Sequence, residues 1–249
     1  MNKGWHVSIM VAVNMIVLIS AVKNVYSEDA KETIHRGVVY AKKGDLDSAI
    51  SEFNKVIAMD PKNVDAYNNR GLASATKGNL DQAIADYNKA VEIDSGYSLA
   101  YYNRGLAYDA KGSIGLAISD FSKTIELDPK NGYAYVNRGI DYMTQSKYDE
   151  ALSDFNQAIK LNPNNHYAYY HRGWINDVKG DPDKAIADFS KVIELDPKFV
   201  PAFSYLSIVY FKKKDFDKAW ENIHNVESLG GKVDPNLSEA LKKESKRDR

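Results

Sequence analysis

The 249-residue chain contains no cysteine. That excludes disulfides, thiolate-held zinc or iron–sulfur centres, a thiol nucleophile and a lipid-modified N-terminal cysteine. An excess of charge of one sign is missing too. Lys and Arg number 33 against 34 for Asp and Glu, so no nucleic-acid footprint is expected. Strand signals are absent, and with them any glycine-rich phosphate loop of the strand–loop–helix kind. His166 and His171 stand five apart, off the spacing that puts two ligands on one helix face. Asp181-Pro182-Asp183 has no Gly three residues on, so it is not a calcium loop. Neither metal nor cofactor is expected, nor a small-molecule substrate, and no acid/base or nucleophile constellation emerges. Long apolar runs are also scarce. One extends from Val7 to Val22 behind Lys3 and His6. Val25 and Ser27 supply the small residues a signal peptidase reads, so residues 1–27 are expected to be a cleaved export signal. The alternative is a membrane anchor over residues 7–22, but the run includes Ser8, Asn14 and Ser20 and is short for a span.

What fills the rest is a repeat. Ala recurs at Ala49, Ala83, Ala117, Ala151, Ala185 and Ala219, always 34 apart. Gly37, Gly71, Gly105, Gly139 and Gly173, then Ser207, keep the same spacing upstream. Units run over 30–63, 64–97, 98–131, 132–165, 166–199 and 200–233. Within repeat two, a first helix is predicted over 65–77, ended by Gly78. A second helix starts near Leu80, with Leu80, Ala83, Ile84, Tyr87, Ala90 and Val91 on one face. Pro61, Pro129, Pro163 and Pro197 end second helices. The recurring Gly and Ala are placed where the two helices cross closest, with Phe53, Tyr87, Phe121, Phe155 and Phe189 beside the crossing. Residues 234–249 are read as a capping helix, begun by Asp234-Pro235, and a charged tail.

One unit cannot bury its own apolar face, whereas stacked units can. The spacing, the Gly and Ala positions and the terminal Pro resemble the tetratricopeptide (TPR) repeat over about four-fifths of the chain. The resemblance implies an all-α, right-handed solenoid of six helix–turn–helix units, without a catalytic domain.

A charged pair also repeats. Arg36, Arg70, Arg104, Arg138 and Arg172 are each followed sixteen residues later by Glu52, Asp86, Asp120, Asp154 and Asp188. In the sixth unit both change, to Leu206 and Asn222. Joint loss points to an Arg–carboxylate pair between the helices of one repeat, where a two-pronged fork fixes register. The alternative is that these arginines read an acidic ligand.

In TPR proteins the first helices line the concave face, and the resemblance implies a peptide or partner helix bound there. Two residues before the Gly stand His35, Asn69, Asn103, Asn137, His171 and Tyr205. The Asn run resembles the asparagine ladder of the O-linked N-acetylglucosamine transferase superhelix, which holds peptide backbone. An amide both donates and accepts, so it pairs with any peptide unit. Tyr102, Tyr133, Tyr167, Tyr170 and Trp174 are expected beside that column as aromatic anchors. Tyr101, Tyr135 and Tyr169 are assigned to core packing. The carboxylate clamp of cochaperones finds no match, because its Lys and Asn positions hold Ile34/Val38, Asn68/Leu72 and Tyr102/Leu106. The expected function is a non-catalytic protein-interaction scaffold, exported to the periplasm or beyond. A self-assembling structural solenoid is the alternative.

Overall fold

A computed structural model describes residues 27–246. Ser27 caps the first helix, its Oγ accepting from the Ala30 N–H at 3.3 Å, whereas residues 1–26 of the expected export signal and the last three residues of the tail lie outside the described residues. Within them are thirteen helices and no strand. In chain order they are α1 (Glu28–Lys42), α2 (Leu46–Met59), α3 (Val64–Thr76), α4 (Leu80–Ile93), α5 (Ser98–Ala110), α6 (Ile114–Leu127) and α7 (Gly132–Thr144). Then come α8 (Tyr148–Leu161), α9 (His166–Val178), α10 (Pro182–Leu195), α11 (Val200–Lys212), α12 (Phe216–Ser228) and α13 (Pro235–Ser245). The chain is an all-α solenoid whose described residues divide into two compact units, 27–134 and 135–246.

In the first unit the helices pack in consecutive pairs, α1 with α2, α3 with α4 and α5 with α6. Each first helix also meets the next first helix, α1 on α3 and α3 on α5. The second unit repeats the plan: α9 packs with α10 and α11 with α12, and α9 also lies on α8 and α11.

Local chemistry sets the helix ends. Side chains accept from the orphan N–H groups of the first turn: Asp45 from Ser48 at 3.1 Å, Asn63 from Ala66 at 2.9 Å and Asp181 from Lys184 at 3.2 Å. First helices stop at a residue in the left-handed region, Gly78 for α3 at φ +86°. Ser146 and Lys214 occupy that turn after α7 and α11 with φ of 59° and 61°, a conformation that costs a non-glycine residue.

Inside each pair the recurring Ala is fully buried, and in the first five pairs so is the aromatic that follows it by four residues. The close approach is between the recurring Gly and that ring, which corrects the expected Gly–Ala contact. A Cβ on Gly37 would lie 2.6 Å from Phe53, and one on Gly71 2.7 Å from Tyr87. Where Ser207 replaces the Gly, Ile223 replaces the ring, so the larger residue meets a smaller partner. Helix α13 packs on α12, burying Leu241 completely against Trp220 and Ile223. The Trp220 indole N–H donates to Ser245 Oγ at 3.3 Å.

Candidate functional site

The five arginines stand one residue before the crossing Gly, which aims them at the second helix of their own pair. Arg70 donates through Nε and Nη2 to Asp86 at 2.9 and 2.5 Å, and Arg104 to Asp120 at 2.7 Å twice. In the second unit Arg138 grips Asp154 at 2.9 and 2.8 Å, and Arg172 grips Asp188 at 3.0 and 2.6 Å. Arg36 makes one such bond to Glu52, at 3.1 Å, and a second carboxylate, Glu32, takes its Nη1. The acids Asp86, Asp120, Asp154 and Asp188 are all buried. Hydrogen bonding to them raises the pKa of Arg70, Arg104 and Arg138 further above its already high value.

The third prong was not foreseen. Arg70 Nη1 donates to Asn54, Arg104 Nη1 to Asn88 and Arg172 Nη1 to Asn156, each at 2.7 Å. These acceptors lie on the second helix of the preceding pair, so one guanidinium ties two neighbouring pairs together. Its face is covered as well. Tyr67, Tyr101 and Tyr169 hold their rings 5.3–5.4 Å from Arg70, Arg104 and Arg172, and Tyr135 lies 5.9 Å from Arg138. Tyr101 and Tyr169 are therefore half-buried lids on the arginines and not the core residues expected from sequence, whereas Tyr135 also packs against a core cluster, as expected. A guanidinium with its fork filled and its face covered has little left for an acidic ligand. In the sixth pair Leu206 is buried, and Asn222 turns back to donate to the Lys218 carbonyl at 2.8 Å.

The asparagine column is not the solvent-facing line read from sequence. Asn69, Asn103 and Asn137 are 9%, 5% and 5% exposed, and His171 is 6% exposed. The covering comes from the preceding pair: His171, on α9, stacks on Phe155 of α8 at 5.5 Å between ring centres. Asn103, on α5, donates its amide to Asn68 Oδ1 on α3 at 2.9 Å, both side chains being buried. Asn68, which the sequence offered no reason to select, thus occupies a polar link between two first helices. Tyr102 is buried against Phe121 at 5.9 Å between ring centres. Tyr133 is half-exposed.

The second unit gathers the remaining anchors. Tyr170, on α9, meets four rings: His171 at 5.1 Å, Phe199 at 5.2 Å, Tyr205 at 5.6 Å and Phe189 at 6.0 Å. Tyr167 lies edge-on to Phe199 at 5.9 Å and 4.1 Å from His166, which itself meets Phe199 at 5.4 Å. Edge-to-face geometry is the preferred aromatic arrangement. Trp174 sits apart, edge-on to Tyr148 at 6.0 Å and packed between two core clusters. Tyr167, Tyr170, Trp174, His166 and Phe199 all remain partly exposed. Burial raises the pKa of the Tyr170 hydroxyl, as does its neighbour Tyr205. Burial also lowers the pKa of His166, against an opposing pull from Asp196, so its imidazole is neutral at neutral pH.

Phe199 and His166 were missed as site residues. The signal for Phe199 was a lost cap. Asn63, Asn131 and Asn165 each accept from the first-turn N–H three residues on, whereas Phe199 opens α11 with no side-chain cap. Such a cap is worth about 1 kcal/mol, and Tyr97, at the equivalent position, opens α5 without one too.

Among the described residues no group of three His, Cys, Asp or Glu side chains could hold a metal ion. No described helix is long and apolar enough to cross a membrane.

Paired helices, the Gly–aromatic crossing and the arginine staple define a class of helical repeat proteins built to present a surface. Sequence comparison specifies the family. Residues 36–98, 136–198 and 98–131 match the tetratricopeptide repeat, and the chain belongs to that family. No curated protein matches significantly. Among solved structures, MamA is 30% identical, with 65% of this chain and 95% of that one covered, at a TM-score of 0.61. YrrB, described as a TPR protein with an unusual peptide-binding site, is 27% identical over 78% of this chain and 97% of its own, at a TM-score of 0.65. PilF of Pseudomonas aeruginosa shares the fold at 18% identity, with 81% and 92% covered and a TM-score of 0.74.

Proposed function

We propose that this protein is a non-catalytic interaction scaffold that takes an extended peptide or a partner helix on the first helices of its repeats. The observation that carries the reading is the partly exposed aromatic face of the second unit, formed by Tyr167, Tyr170 and Phe199. A chain built only to bury its core has no use for half-exposed rings gathered on one face. Large amphipathic rings with few rotatable bonds are the side chains that carry most binding energy at interfaces. The peptide-binding description of YrrB supports the same reading. Buried in the free protein, Asn69, Asn103, Asn137 and His171 serve here as the floor that holds the first helices in register. Direct contact falls to the aromatics. We further propose that the protein works after export, with its mature N-terminus at Glu28.

Affinity capture with wild-type and Tyr167→Ala bait tests the surface. A partner retained by the wild type and lost from a variant of unchanged melting temperature is the expected result. A partner bound equally by both places the interface elsewhere. Intact mass of the native protein tests export, and a chain retaining residues 1–27 in the membrane fraction overturns it.

A further inference from the structure

We infer that the partner presents a basic side chain, lysine or arginine, to the aromatic face of the second unit, where it lies on the Tyr167 and Phe199 rings beside the Asp196 carboxylate. This rests on the docking reading above and names the chemistry of the occupant. Three features converge on positive charge. The first is the rings: a cation within about 6 Å of an aromatic face is attracted by the ring quadrupole. The second is Asp196, placed by the turn that follows α10. Its backbone carbonyl accepts from the Phe199 N–H at 3.1 Å, which sets Asp196 and Phe199 in one tight turn. The third is the end of α10 itself, where Asp196 is the C-cap and the last carbonyls point outward with partial negative charge.

Asp196 accepts from the Lys198 backbone N–H at 3.0 Å, and among the described residues it forms no ion pair. The Asp196 charge acts on both His166 and Tyr167, so the field reaches the rings. Burial keeps His166 neutral at neutral pH, so it does not supply the missing charge itself. Lys191, on α10 itself, is already paired with Glu194 at 2.6 Å.

The protein carries its own control. Asn162 holds the position equivalent to Asp196 one repeat earlier and makes the same turn, accepting from the Asn164 N–H at 3.0 Å. Asp196→Asn therefore removes the charge and keeps the fold of the turn. A random peptide library displayed on phage is selected against the full chain lacking residues 1–27, then against Asp196→Asn and Tyr167→Leu. The expected result is a set of peptides that share a Lys or Arg. Their affinity falls about tenfold in Asp196→Asn, and replacing the basic residue by norleucine gives the same loss with no further loss in the variant. Peptides that depend on Tyr167 but show no basic preference, or bind Asp196→Asn as well as wild type, overturn this inference and leave the docking reading standing. Selection of no peptide that depends on Tyr167 overturns both.

Discussion

Arg104 shows at the residue scale how one side chain serves three elements. Its Nε and Nη2 hold Asp120, its Nη1 reaches Asn88 in the preceding pair, and Tyr101 covers its face. Pairing of this kind contributes register more than net stability, because two charges leave water to form it. Removing one partner is another matter. Arg104→Leu leaves Asp120, 5% exposed, as a buried charge without its counter-ion, and should cost about 3 kcal/mol. Adding Asp120→Asn, the combination Leu206 and Asn222 already use, should recover much of that loss. Urea unfolding of the two single variants and the double one gives the coupling energy. Strict additivity would show that the pair is uncoupled and that the joint loss in the sixth repeat is coincidence. The pair could be read from sequence because covariation within a repeat survives without any structure. The third prong could not, since Asn54, Asn88 and Asn156 look like ordinary helix-surface residues until neighbouring pairs are stacked.

Helix boundaries were legible at the scale of elements, because they depend on local chemistry. Loop glycines, Asn and Asp caps and terminal prolines each act within one turn of the chain. Burial of the first-helix residues was less legible. Asn69 and Asn103 lie on a face that is open in an isolated pair and closes against the preceding first helix, so periodicity alone assigns them to solvent. The exposure of Tyr167 or Trp174 likewise depends on what α8 and α11 place beside them. One local departure has a measurable cost. Ser146 and Lys214 sit in the left-handed turn after α7 and α11. The conformation costs roughly 1–2 kcal/mol in a non-glycine residue, offset in part by the roughly 0.5–1 kcal/mol of chain entropy glycine loses on folding. Ser146→Gly and Lys214→Gly should each stabilise the protein by about 0.5–1 kcal/mol. Calorimetry of both variants checks this, and a lowered melting temperature in either would show that its side chain makes a compensating contact.

At the scale of the whole molecule, stability in a stacked array is close to a sum of local terms and nearest-neighbour interfaces. An end without a neighbour must therefore be covered. On the C-terminal side α13 does this with few residues. Leu241 is fully buried, Leu237 packs beside it, and Ser245 takes the Trp220 indole N–H. Deleting residues 234–249 would bare Trp220 and Ile223, two large apolar side chains of α12 that are 4% and 2% exposed. Burying a side chain of that size contributes about 1.5–3 kcal/mol, and Leu241 alone accounts for one such term. The truncated protein should lose about 3 kcal/mol or more in the second unit, first from the outermost pair. Amide hydrogen exchange resolves where the loss falls. Protection in α11 and α12 should drop sharply, whereas α9 and α10, still covered by α11, should lose far less. The single variant Leu241→Ala should show the same pattern at reduced size. If protection instead falls uniformly from α8 to α12, the unit unfolds as one cooperative block, and α13 acts as part of a shared core and not as a cap on its last pair.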